Sequence, residues 1–332
     1  MPSSQMMDRP VTLVTGATGF LGRHLVACLL EAGERVRATD RAPTCPIPGF
    51  SGEYLSADLT RPETLPPLFA GRVARVFHLG AICNLTVPFA QLRPVNVLGV
   101  EHLTRLALAH RVERFVQVSS SSVYGLGTGA PLDESAPRVP RDDYARSKRD
   151  GEDMVFARLA EGLPATILRP CMVYGPGCND GAGKVFSRPT PLPAIPGNGR
   201  NRLSNVRAED VARAALHLSR LEEAVGRVYN VADDSHPTIE EALTWASEAY
   251  GLRPPRLHLP LPVMQAIAFA GAAAYRVTRK IPDVEADAIG YLRQDYLIDN
   301  ARLKATGFRL EHPDFRRSVA ELGANYQQGE NT

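Results

Sequence analysis

The chain is short of cysteine, of charge of one sign and of long apolar runs, and each shortage removes a class of protein. Its five cysteines in 332 residues, Cys28, Cys45, Cys83, Cys171 and Cys178, are odd in number and far apart. No Cys-x-x-Cys pair and no histidine at ligand spacing accompanies them, so neither a disulfide framework nor a metal site is expected. Lys and Arg total 38 against 36 Asp and Glu, a formal charge of +2. With the two signs interspersed there is no basic stripe, which argues against nucleic acid and leaves a small molecule as the expected partner. Residues 1–10 are polar and lack the apolar core of a secretory signal, so a cytoplasmic protein is expected. The longest apolar stretch, 261–277, is Ala-rich, holds Gln265 and falls short of the ~20 residues a spanning helix needs. Repeats and low-complexity blocks are absent.

What remains, 44% apolar and 22% charged residues, is an ordinary globular composition, long enough for one α/β domain with an appendage or for two domains. Short apolar runs at 11–15, 35–39, 54–57, 75–79, 114–119 and 165–168 read as strands. Stretches of helical length and period at 20–32, 95–110 and 144–161 lie among them. Strands alternating with helices predict a Rossmann-type, doubly wound parallel sheet that binds ligands beyond its carboxyl ends. After Arg169 the texture changes: 175–202 is crowded with Gly and Pro, a strand at 227–231 returns to the sheet, and helices follow. One of these starts at Thr238-Ile-Glu-Glu241, a capping-box pattern. The expected division is a sheet domain, 1–170 plus 206–232, and a smaller, discontinuous C-terminal α+β domain, 171–205 plus 233–332.

Directly after the first strand, Thr15-Gly16-Ala17-Thr18-Gly19-Phe20-Leu21-Gly22 opens a helix. A pyrophosphate binds where amides at a helix N-terminus point at it, and glycine lets the backbone come close while the helix packs tightly on the strand. Asp40 ends the second strand, where its carboxylate can accept bonds from adenosine ribose hydroxyls. It would repel a 2′-phosphate, which favours NAD over NADP, although Arg41 beside it offers partial compensation. Asp58-Leu59 can reach the adenine or simply cap the next helix, and His78-Leu79-Gly80-Ala81 ends the fourth strand with small residues. His78 itself reads as structural, since no carboxylate or nucleophile pairs with it.

Tyr144-Ala-Arg-Ser-Lys148 sets a phenol and an ammonium four residues apart on one helix face. The positive charge favours the phenolate, so the pair suits general acid/base work. Ser119-Ser-Ser-Ser122-Val-Tyr124-Gly follows the fifth strand, placing a hydroxyl in the ligand crevice.

In this order the three elements resemble the extended short-chain dehydrogenase/reductase family. The resemblance runs on through Asn96-Val-Leu-Gly99, Arg169-Pro-Cys-Met-Val-Tyr-Gly-Pro-Gly177, 206–212 and Tyr229-Asn-Val231. It implies Ser120 as the catalytic serine, with Ser121 as the fallback, and Tyr144 as the proton carrier. Lys148 would lower the tyrosine's pKa and hold the nicotinamide ribose. Among cofactor contacts it implies Gly16, Thr18, Gly19, Phe20, Leu21, Gly22, Asp40, Arg41, Asp58, Leu59, Leu79, Gly80 and Ala81. Asn96, Val118, Tyr144, Lys148, Pro170 and Val173 complete that set, and Asn84, Ser121 and Tyr174 would touch substrate. A homodimer through helices 95–110 and 144–161 is also implied.

The resemblance leaves two enzyme classes open. One oxidises or reduces a secondary alcohol or ketone on an apolar molecule, as in the 3-beta-hydroxysteroid dehydrogenase and dihydroflavonol reductase branch. The other is a nucleotide-sugar epimerase or dehydratase, which must hold a diphosphate. Met172 stands where such sugar enzymes usually carry Asn, and Leu203-Ser-Asn205 replaces their Arg-Asp-aromatic, with Arg202 displaced by one. Arg293 remains as a phosphate contact or a plain surface charge. The stretch 261–277 can be core, the wall of an apolar pocket, or, with Arg276, Arg279 and Lys280, a helix lying at a membrane interface. A non-catalytic dinucleotide sensor would not need Ser120, Tyr144 and Lys148 all in place.

Overall fold

Strand-forming runs joined by helical crossovers pair in parallel, and the seven strands of the sheet make six such pairings. The strands are β1 (Val11–Thr15), β2 (Arg35–Asp40), β3 (Glu53–Ser56), β4 (Val73–His78), β5 (Arg114–Val118), β6 (Ala165–Pro170) and β7 (Val228–Val231). The computed structural model describes residues 10–179, 181–278 and 288–329. The sheet order is β7-β6-β5-β4-β1-β2-β3, parallel throughout. Strand order reverses between β1 and β4, and the crevice of a doubly wound sheet opens there.

Both faces are covered, as an all-parallel sheet requires. Side chains alternate by the period of two: Leu13, Val76, Phe115 and Ile167 face one apolar layer, whereas Val14, Phe77, Val116 and Leu168 face the other. The first layer is closed by Val100, Leu103 and Ala107 of α2 (Gly99–Ala109) and by Val155 of α3 (Asp143–Ala160). The second is closed by Leu25, Val26 and Leu29 of α1 (Phe20–Glu31) and by Val211, Ala214 and Ala215 of α4 (Ala208–Ser219).

The helix expected to start at 95 begins earlier, because the chain is already helical over Phe89–Arg93 and carries Pro94 inside a π-turn, Pro94–Leu98, before α2. A proline has no N–H to bond and crowds the preceding turn, and the wider turn absorbs both defects. Beyond β6, Met172–Tyr174 pairs in parallel with Asn205–Arg207, and Ile195–Pro196 with His258–Leu259. The helices α5 (Ile239–Ala249) and α7 (Phe315–Gln327) pack together through Leu243, Val319 and Leu322, with α6 (Leu261–Thr278) between them in sequence. The capping box at Thr238 forms with both of its reciprocal bonds to Glu241. Among the described residues no helix is long and apolar enough to cross a membrane.

Candidate active site

The first turn of α1 has no side-chain cap and no acidic residue, so its amides stay available at the crevice. The loop beneath it has no room for a Cβ at Gly16 or Gly22. Gly16 adopts φ +66°, and a Cβ there would lie 2.6 Å from the Gly80 nitrogen at the end of β4. At Gly22 an added Cβ would sit 2.0 Å from the Gly16 carbonyl oxygen. Strand, loop and helix therefore close on one another, leaving a cradle of backbone that fits a pyrophosphate. Leu59 packs its side chain on Gly80 and Gly99, which firms the floor.

Asp40 reaches this loop from β2. Its Oδ2 accepts from the Thr18 hydroxyl at 2.6 Å, and its Oδ1 from the Arg41 amide at 2.8 Å. Asp58 does not cap the next helix, Pro62–Thr64, which has no side-chain cap: its carboxylate accepts from the Thr60 amide and hydroxyl in the turn before it, and these bonds hold its pKa below the usual carboxylate value. His78 is structural as expected. Its Nδ1 lies 2.6 Å from Thr15 Oγ1, while its Nε2 is enclosed without a partner among the described residues.

Burial first, and the Lys148 charge second, push the His78 pKa down to about 3. The unfolded chain, with an ordinary imidazole, takes up this proton near pH 6.5 and the folded chain does not. Stability should therefore fall as pH drops from about 6.5 toward 3, by about 1.4 kcal/mol per pH unit from this residue. Urea unfolding at a series of acidic pH values should show that slope flattened in His78→Asn.

At the carboxyl end of β5, Ser120 turns the chain into a short 3-10 segment, its Oγ accepting from the Ser122 amide at 3.2 Å. Two residues before Tyr144, Asp142 caps α3 by accepting from the Ala145 amide at 2.7 Å. These two turns bring the Ser120 hydroxyl beside the Tyr144 phenol, where it acts to lower the phenol's pKa. One helical turn on, Lys148 donates to the Val118 carbonyl at 2.7 Å. Ser121, the fallback, is instead occupied by Tyr296, whose hydroxyl donates to its carbonyl at 2.7 Å.

The electrostatics differ from the expectation that Lys148 draws the phenol down. Burial, and then the Cys83 thiol that also bonds the phenol, hold Tyr144 well above its ordinary pKa, against the lowering contribution of Ser120. Burial brings Lys148 down to about 8, with Cys83 and Glu152 opposing. At neutral pH the tyrosine is a protonated acid beside a mostly charged lysine.

Several contributors are invisible in the sequence. Cys83 has no motif to announce it, yet lies against the Tyr144 phenol. Glu152, one turn beyond Lys148, is fully buried and takes a two-pronged ion pair from Arg169 at 2.8 and 2.7 Å. Arg169 also donates to the Tyr124 hydroxyl at 2.9 Å, so α3 is tied to the ends of β5 and β6. Tyr291 donates to Asp142 Oδ2 at 2.7 Å, and with Tyr296 it fastens a C-terminal segment over the two turns that present Ser120 and Tyr144. Removing one buried hydrogen bond of this kind costs about 1 kcal/mol. Tyr296→Phe should accordingly lower kcat about fivefold and leave dinucleotide affinity unchanged, as read by steady-state kinetics and fluorescence titration.

Not every expected residue converges here. Asn96, in the π-turn, commits its amide to the Ile82 backbone at 2.8 and 2.9 Å and to Ser147 Oγ at 2.9 Å, so it positions the β4 loop against α3. Asn84 accepts from the Thr86 amide at 2.7 Å within a turn. Tyr174 is corrected: its ring is fully buried against Phe186 and Phe315, an aromatic core position that offers substrate no access. Pro170 is the last residue of β6, and Val173 lies in the short strand Met172–Tyr174 that follows it.

The sequence pattern of the NAD dependent epimerase/dehydratase family matches residues 12–232. Sterol demethylase protein B of Methylococcus capsulatus is 32% identical over 267 residues, 77% of this chain and 80% of its own length. The 3 beta-hydroxysteroid dehydrogenase/Delta 5-->4-isomerase of Mycobacterium tuberculosis is 30% identical over 270 residues, 76% of this chain and 73% of its own. The structure of MoeE5 in complex with UDP-glucose and NAD superposes with a TM-score of 0.77 at 26% identity, covering 96% of this chain and 99% of that one. By the extent of that match and the level of identity, the chain belongs to the NAD dependent epimerase/dehydratase family.

Proposed function

We propose that the chain is an NAD-dependent oxidoreductase that interconverts a secondary alcohol and a ketone on a largely apolar molecule of steroid, flavonoid or polyketide type. The observation that carries this reading is the buried Tyr144 phenol, with the Ser120 hydroxyl beside it lowering its pKa and Lys148 one turn along the same helix donating to the Val118 carbonyl at the end of the sheet. The glycine cradle and Asp40 fit a dinucleotide without a 2′-phosphate, and when bound it supplies or accepts the hydride. Ser120 donates a hydrogen bond to the substrate oxygen and orients it. Tyr144 gives its proton to that oxygen in reduction and takes one from the alcohol in oxidation. Lys148 keeps a positive charge alongside, which favours the phenolate left behind.

The division of labour follows the sheet: 1–170 plus 206–232 for the dinucleotide, 171–205 plus 233–332 for the substrate. The homodimer through α2 and α3 belongs to the same proposal, and the molar mass in solution reads it.

On the coenzyme, Asp40→Ala should weaken NAD binding and narrow the preference over NADP. A native preference for NADP in the same titration contradicts the assignment.

An apolar substrate is supported by Met172, which pairs in register with Asn205, where sugar enzymes usually place polar and aromatic groups. The steroid-acting relatives point the same way. A second reading, a nucleotide-sugar 4-epimerase or dehydratase, is favoured by a cavity lined by Asn198, Asn201 and Arg293, polar groups suited to a diphosphate. Incubating the enzyme with apolar ketones and with nucleotide sugars separates the two. Oxidation of NADH in step with ketone supports the first, whereas sugar conversion without net NADH change supports the second.

A further inference from the structure

A surface helix in water normally turns its polar side outward. The described part of α6 does the reverse: its exposed residues, Pro262, Val263, Ala266, Ile267, Phe269 and Ala270, are all apolar. On a helical wheel they cover an arc of roughly 160°. Val263, Ile267 and Phe269 are 45%, 57% and 58% exposed, and Leu257, just before the helix, is 63% exposed. These four stand among only six large apolar side chains exposed in the described residues.

Charge is distributed just as unevenly. From 249 to 282 the sequence has no Asp or Glu, and it carries Arg253, Arg256, Arg276, Arg279 and Lys280. Arg253 and Arg256 are exposed next to Leu257. An apolar helix face preceded by the exposed Arg253 and Arg256 matches a bilayer interface, where methyl groups enter the acyl boundary and cations meet anionic headgroups. A second copy of this chain fits less well, since a two-fold contact would set the same cationic stretch against itself.

We infer that α6 and the segment before it form a docking surface for an anionic lipid bilayer, on which the protein lies without spanning it. This surface stands apart from the assigned reaction, and vesicle binding reads it without turnover. The experiment is sedimentation of the full chain with vesicles of phosphatidylcholine alone, or of phosphatidylcholine with phosphatidylglycerol. Binding is expected to the anionic vesicles, weakened by salt, and to be weak on the neutral ones. Ile267→Glu combined with Phe269→Glu should lower the partition coefficient by at least about tenfold. Arg253→Gln and Arg256→Gln should each lower it about fivefold, with the apolar face intact. Absence of wild-type binding, or equal binding by both sets of variants, would overturn the inference. So would a wild-type oligomer that the Ile267→Glu, Phe269→Glu variant dissociates, because the face would then belong to a second copy.

Discussion

Tyr144→Phe is expected to lower turnover by about 100- to 10,000-fold, the usual range for loss of a positioned proton carrier, and to leave dinucleotide affinity unchanged. The substitution removes one oxygen from a site whose geometry is otherwise held by other groups: Asp142 still caps α3, and Ser120 still bonds the Ser122 amide. The buried ring keeps its packing, so the variant should fold with unaltered stability apart from the polar surroundings its hydroxyl finds beside Ser120 and Cys83. Stopped-flow or steady-state kinetics beside a fluorescence titration of NADH checks both halves of the expectation. The raised pKa adds a direction. With the phenol protonated through the neutral range, ketone reduction should stay level as pH rises, whereas alcohol oxidation, which needs the phenolate, should climb. Survival of activity in Tyr144→Phe would remove the residue from the reaction.

Gly22→Ala is the second large effect, and the loop contains its own control. An alanine Cβ at 22 would lie 2.0 Å from the Gly16 carbonyl oxygen, a distance no packed structure accommodates without moving backbone. At Gly19 the added carbon would lie 3.3 Å from that same oxygen, which a small shift can absorb. Neither glycine has a positive φ, so crowding alone separates the two. Gly22→Ala should cost about 1–3 kcal/mol of stability through overpacking and weaken dinucleotide binding by more than about tenfold, because loop and helix no longer close around the amides. Gly19→Ala should do appreciably less on both counts. Thermal melts with and without NAD compare the two variants directly.

Much of the sheet and of the candidate site was legible because both depend on local pattern. Short apolar runs bounded by Gly, Pro or polar residues and alternating with helical stretches mark the strands, and β1 starts and ends where its run does. Tyr144 and Lys148 needed only helical spacing to be placed together; position after β5 marked the serine run, and the family resemblance singled out Ser120 within it. The early start of the helix before α2 was hidden because Pro94 reads as a stop, and only a π-turn lets the chain continue. Cys83, Glu152 and Tyr296 were hidden for another reason. Cys83 is in a loop 61 residues from Tyr144, and Tyr296 is 175 residues from Ser121, so their contacts exist only after the sheet has gathered the chain. The same distance explains the sign of the tyrosine shift: spacing shows the lysine, but burial, which wins, is a property of the whole fold.

The site chemistry rests on hydride and proton meeting one substrate carbon and oxygen beside Tyr144. The most direct measurement is reduction of an apolar ketone with NADH deuterated at the transferring position of the nicotinamide, followed by mass spectrometry of the product. The account predicts one deuterium on the new carbinol carbon, one NADH consumed per alcohol formed, and loss of both in Tyr144→Phe. No label in any ketone product, together with conversion of a nucleotide sugar without net change in NADH, would contradict it.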